Sequence, residues 1–188
     1  MRLETERLIL RDIKEGDQES IRKNINNLEI SKYLLVVPHP YSKKDADWWV
    51  GHCLKNQNKK TRESYEFGIA IKPSDNIVGG IGLSKVNIEQ SRATLGYWLG
   101  KDFWRKGYMF EAAQKIIDFG FNKLGLRRID VEAFTENEAS NNLIKKLRFN
   151  YEGTLRDACV CKATKKIHSG HFYGLLKKDW KKYKKRLK

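Results

Sequence analysis

The chain has 188 residues, 40% of them hydrophobic and 32% charged, which is enough apolar material for one core and excludes a globally disordered polymer. Its formal net charge is +15, and residues 177–188 hold eight cationic side chains against Asp179, so the remaining body is only moderately basic. No charged-then-apolar opening resembles a signal peptide and no apolar run approaches the ~20 residues that cross a bilayer, so a cytoplasmic protein without a membrane partner is expected.

In chain order, Leu8-Ile9-Leu10-Arg11 reads as a first strand. Asp17 then serves as N-cap to a helix running through Ile21 and Ile25 to about Leu28. After Pro38 and Pro40, Ser42 with Asp45 three residues on starts a second helix carrying Trp48, Trp49 and Leu54. Asn56 to Arg62 is polar and reads as a loop. The period then changes to two. Residues 66–71 and 77–83 form a hairpin about the Pro73 to Asn76 turn, and 93–99 form a third strand. A helix from Phe110 to Leu124 puts Ala113, Ile116, Ile117, Phe121 and Leu124 on one side and ends at Gly125. A strand at 128–133, a helix at about 138–146 and two strands near 151–161 and 170–176 complete the body, taken as one domain over 1–176. Residues 177–188 follow as a basic helix or tail, in which Trp180 and Tyr183 stand at helical spacing. Hairpins first, then strands separated by helices, indicate an α/β domain with a mixed sheet. The three cysteines, Cys53, Cys159 and Cys161, are an odd number and suit free thiols.

Strand 93–99, a short loop containing Lys106-Gly107, and a helix form an arrangement that aims free backbone N–H groups and a positive helix end at an anion. One such glycine is a weak signal, and neither the Walker nor the dinucleotide pattern is present. The whole run from Leu95-Gly96-Tyr97-Trp98-Leu99 through Trp104-Arg105-Lys106-Gly107-Tyr108-Met109-Phe110-Glu111-Ala112 resembles the acetyl-CoA loop of GNAT acetyltransferases, in their RimJ/RimL-like branch. Asn137-Glu138-Ala139-Ser140 with Leu143-Ile144-x-Lys146 is similar to that branch's second motif. Thr5-x-Arg7-Leu8-x-Leu10-Arg11 is similar to its opening, and Tyr173-x-Leu175-Leu176 with Trp180 to its close. In these motifs Arg105 and Arg148 stand where the branch usually has Gly, Met109 where it has Ala or Gly, and Phe110 where it has Thr.

The resemblance implies a single GNAT-type α/β (α+β) domain with a mixed, mostly antiparallel sheet of about seven strands and about four helices. It implies acetyl-CoA as co-substrate, met by Trp98, Leu99, Trp104, Arg105, Lys106, Gly107, Tyr108, Met109, Asn137 and Ser140. It also implies that the 97–99 strand splays from strand 128–133, with a backbone N–H near Leu99 facing the reacting carbonyl oxygen. Transfer further needs an acid for the departing thiolate and a route for the amine's proton. Ile144 occupies the place of the tyrosine that many relatives use as acid, which leaves Ser140, either as that acid or as a helix cap. Thr94 replaces the branch's usual glutamate. Glu132 is therefore taken as the candidate base, with Glu66 on another strand near the cleft and surface roles open for both.

An α-amine, with a free pKa of ~7.7–8.0 against ~10.4 for lysine, suits such a site. The resemblance implies as acceptor a protein or peptide N-terminus of the ribosomal-protein type, attacked directly in a ternary complex. The alternatives are a small amine such as a polyamine or aminoglycoside, and a fold without turnover whose basic tail meets RNA or the ribosome. A monomer or homodimer is expected. Cys159-x-Cys161 with His168 and His171 has zinc-like residue types, but strand parity sets the histidines on opposite faces, and no metal is expected.

Overall fold

The computed structural model describes residues 1–185. One eight-stranded sheet runs in the order β1-β2-β3-β4-β5-β6-β8-β7, where β1 is Arg2–Glu4, β2 Leu8–Asp12, β3 Tyr65–Ile71, β4 Ile77–Asn87, β5 Arg92–Leu99, β6 Arg128–Phe134, β7 Asn150–Val160 and β8 Ile167–Leu176. Every neighbouring pair is antiparallel except β5–β6, which is parallel. The six α-helices are α1 (Gln18–Ile25), α2 (Leu28–Ser31), α3 (Lys43–Gln57), α4 (Tyr108–Asn122), α5 (Glu138–Lys146) and α6 (Lys177–Lys185). The class is the expected one, with eight strands in place of seven and six helices in place of four. The added strand, β1, is a three-residue edge that pairs only with β2.

Each face of the sheet carries a separate apolar cluster. On one, Ala112, Ala113, Ile116 and Ile117 of α4 and Ile144 of α5 pack on Leu8, Leu10, Ile69, Leu83, Leu95 and Val131. On the other, Ile21 and Ile25 of α1 and Ala46, Val50 and Cys53 of α3 cover Ile13 and Ile77. Strand alternation assigns the residues to these faces. Phe67 meets Phe119 of α4 edge-on, so its neighbour Glu66 turns to the α1/α3 side.

The capping box at α3 forms as read: Ser42 Oγ accepts from Asp45 N–H, and Asp45 Oδ2 accepts from Ser42 N–H at 2.9 Å. Asp17 stands at the N-cap of α1 as read, but its side chain makes no capping bond. Its carboxylate is buried in a bidentate pair with Arg11, at 2.8 Å to each nitrogen, which also binds Asp75. The helix stops at Ile25 rather than Leu28, because Asn27 turns extended and caps the short α2 through its own side chain. At the end of α4 the capping residue is Lys123, and Gly125 at φ +72° turns the chain into β6 two residues later.

The basic end is helical and docked. Trp180 is 2% exposed in the α4 cluster and its indole N–H donates to Asp118 at 2.6 Å, so α6 is packed into the body over its described length. Residues 186–188 of the expected tail lie outside the described residues. Among those described, no helix is long and apolar enough to cross a membrane.

Candidate active site

The parallel pairing of β5 with β6 runs only from Arg92↔Arg128 to Leu95↔Val131. Beyond it β5 stays with β4 as far as Leu99↔Gly79, while β6 stays with β8 as far as Phe134↔Gly170. The two strands therefore diverge, leaving a wedge whose walls are residues 96–99 and 132–134. Gly100 N–H donates to Val78 on the β4 side at 2.8 Å. Successive N–H groups of a strand alternate sides, so that of Leu99 points into the wedge. The Leu99 carbonyl takes the Trp104 indole N–H at 2.7 Å, which ties the following loop to the wedge.

That loop leads into α4 through a left-handed turn. Gly107 has φ +80°, and Arg105, standing where the resembling branch has glycine, has φ +61°. The side chain does not remove the conformation that glycine would supply; it adopts it at a cost of about 1 kcal/mol. Among the described residues, no group accepts from the N–H groups of Lys106 to Phe110, and the first in this turn to find an acceptor is Glu111 N–H, on Gly107 O at 3.1 Å. Consecutive free amides in a left-handed turn at a helix start make an anion cradle, so the backbone here fits a pyrophosphate.

Arg7 braces the cradle from the far end of the sequence. Its N–H and Nε donate to Glu111 at 3.0 and 2.7 Å, one guanidinium nitrogen donates to Lys106 O at 3.0 Å, and the guanidinium lies over the Tyr108 ring. Lys106 Nζ sits 5.8 Å from the Phe103 ring centroid. Met109 is buried in the α4 cluster, and Trp98 and Trp104 flank the wedge on β5 and the loop.

At the mouth of the wedge, Ser140 Oγ and Tyr97 OH lie 2.7 Å apart. The cap of α5 is Asn137, whose side chain accepts from Ser140 N–H at 3.2 Å. Ser140 is thus relieved of capping and its hydroxyl belongs to a pair with the phenol. Burial pushes the Tyr97 phenol up to about 12, against the opposing effect of Ser140, so it stays protonated. The phenol comes from β5, not from the α5 position held by Ile144, which is fully buried in the core.

Glu132 and Glu66 part company. Glu132 is exposed on β6, where its carboxylate accepts from Cys159 Sγ at 3.3 Å. Glu66 lines a cavity of about 320 Å³ between the sheet, α1, α3 and the 34–38 segment. Burial pushes its carboxyl up to about 7, with a Ser64 hydrogen bond acting in the opposite direction. The glycines of β4 make the floor: a Cβ on Gly82 would lie 2.3 Å from Glu66 Oε2, and one on Gly80 2.4 Å from Trp98 Nε1. Side chains at these positions would displace both groups.

The cysteine and histidine quartet is not gathered. Cys159 faces His168 across the hairpin, and His171 Nδ1 bonds Thr154 Oγ1 at 2.6 Å. Cys161 is fully buried, with Sγ donating to Ser31 O at 3.6 Å, and its neighbour Lys162 N–H donates to Leu35 O at 3.0 Å. These contacts fasten the β7–β8 turn to the outer wall of the cavity.

A wedge in a mixed sheet, a backbone anion cradle beside it and a carboxyl-bearing cavity behind it together form the candidate site. The chain belongs to the GNAT family: the acetyltransferase (GNAT) domain matches it over residues 7–150. It is 33% identical over 178 residues to p20, an uncharacterised N-acetyltransferase of Bacillus licheniformis, covering 95% of this chain and 97% of that protein. It is also 34% identical over 154 residues to YoaA, an uncharacterised N-acetyltransferase of Bacillus subtilis, covering 82% and 85%. Among solved structures, the coenzyme A complex of RimL, the ribosomal L7/L12 α-N-protein acetyltransferase, has the same fold, with a TM-score of 0.82 at 19% identity over 94% of this chain and 98% of that one. The chain is accordingly an N-acetyltransferase.

Proposed function

We propose that the chain acetylates the α-amine at the N-terminus of a protein or peptide by direct attack in a ternary complex, with Glu66 as the proton acceptor. The observation that carries this reading is the position of Glu66 on the cavity floor with its carboxyl near 7. A base of that strength matches an α-amine at ~7.7–8.0 far better than a lysine at ~10.4. Acetyl-CoA supplies the activated acetyl thioester. The N–H groups of Lys106 to Phe110 hold its pyrophosphate, and Leu99 N–H donates toward the carbonyl oxygen as charge grows there. Tyr97 OH and Ser140 Oγ share one hydrogen bond of 2.7 Å; with the phenol as its donor, the serine hydrogen is free to turn toward the wedge, where a departing thiolate needs a proton.

Glu132 keeps no part in this assignment, since its carboxylate is engaged by Cys159 outside the cavity. Exposed Lys178, Lys181, Lys182 and Lys185 on α6 favour an acceptor that arrives with a phosphate-rich partner such as the ribosome. Titration calorimetry tests the first requirement: acetyl-CoA binds saturably, and Gly107→Asp weakens it at least tenfold by setting a carboxylate in the cradle. No heat from the wild-type chain would overturn the reading.

A further inference from the structure

The cavity in front of Glu66 is lined by Trp98 of β5, Trp49 of α3 and Ile21 and Ile25 of α1. Its rim is apolar as well: Val36 is 71% exposed and Trp48 67%, large apolar side chains turned to solvent where an apolar ligand would cover them. Gly96 of β5 opens onto the same space. A Cβ built there meets no atom within 4 Å, whereas at Gly80 and Gly82 the room is already taken by Trp98 and Glu66. The space over Gly96 is open. The charged residues of the lining are Lys162, Glu66 and Asp45.

Resting on the acetyl-transfer reading above, we propose that the acceptor carries an aromatic or branched apolar side chain on the carbon beside its amine, and that this side chain fills the cavity over Gly96. The amine then reaches Glu66 while the apolar group lies against Trp98. A small first residue leaves the apolar lining wet, and a charged one sets its head group among apolar side chains at a desolvation cost. Two sources share this chemistry, the N-terminus of a peptide and a free amino acid, whose carboxylate would face Lys162.

The test is steady-state CoA release, with product masses, using acetyl-CoA and peptides that differ only in a first residue of Phe, Leu, Ala or Lys, alongside free phenylalanine and spermidine. The Phe and Leu peptides are expected to exceed Ala and Lys at least tenfold in kcat/KM, as apolar pockets discriminate on size. Free phenylalanine equal to the Phe peptide assigns the amino acid as the source; a large deficit assigns the peptide. Gly96→Val occupies the open space and lowers the Phe-to-Ala ratio at least tenfold. Val36→Asp, at the exposed rim and away from the core, lowers it too. Ala, Lys or spermidine equalling Phe would overturn the inference while leaving acetyl transfer intact. Acetylation of nothing in the panel would overturn the parent reading, and this inference with it.

Discussion

Replacing Glu66 by Gln probes the base and the fold together. The carboxyl moves from 4.5 in a solvated chain to about 7 here because burial penalises its charged form. That difference is worth about 3 kcal/mol. Below pH 4.5 both states hold the proton and the group contributes no slope. Between 4.5 and about 7 the folded chain keeps a proton that the unfolded chain has lost, so stability falls as pH rises. Above 7 the full cost is present. Gln mimics the neutral acid, so Glu66→Gln and the wild type should unfold alike at pH 4.5, while at pH 8 the variant should be the more stable by about 3 kcal/mol. For a chain of this size that is about 10 °C in Tm. Urea melts at pH 4.5, 6 and 8 measure it. Activity should run the other way: wild-type kcat/KM drops below pH 7 as the carboxylate takes its proton, and Glu66→Gln loses about 100-fold. A stability difference that stays flat from pH 4.5 to 8 would refute the buried-carboxyl argument, and an unchanged kcat/KM would refute its role as base.

Two further outcomes follow from residues outside the cavity. Arg148 stands at φ +68° in the complete C-terminal motif of α5, with its N–H on Lys145 O and that of Phe149 on Ile144 O. Arg148→Gly removes the left-handed strain and forfeits a guanidinium over Tyr183, for a net gain of about 1 kcal/mol that a rise in Tm reports and a fall contradicts. Trp180→Ala empties a fully buried site and removes the indole hydrogen bond to Asp118, costing about 3–5 kcal/mol in a denaturant melt. A loss under 1 kcal/mol would mean that α6 adds little to the body.

The fold was legible wherever period and punctuation agreed, as at the Ser42 box, the Pro73 turn and the apolar side of α4. It was illegible where a short element is held only by a neighbour, as with β1 and α2, and where polar residues extend a hairpin, as at residues 84–87 and 167–169. The cradle was readable because Gly107 and the helix that follows are contiguous. Its brace was not, since Arg7 and Glu111 lie 104 residues apart and each looks like an ordinary surface charge. Tyr97 could have been found from alternation alone: it shares a strand face with Ala93 and Leu95, and so looks toward α5. The different surroundings of Glu66 and Glu132 needed the register of two strands against their partners, which no single-strand pattern contains. Asp17 misled because an acid before a helix looks the same whether it bonds the first turn or a buried arginine.

The divergence of β5 from β6 amounts to an edge in the middle of a sheet. Most edges lie at a perimeter, where short strands, charges and turns defend them against stray pairing. This one is guarded by its depth, with helices on both faces and Trp104 latching one carbonyl. Whatever lies along residues 96–99 takes the place of a missing strand, and beyond the short Arg92–Leu95 pairing the sheet is bridged only while that place is filled. Amide exchange at β5 and β6 should therefore report occupancy of the wedge more sensitively than any residue at the chemistry itself.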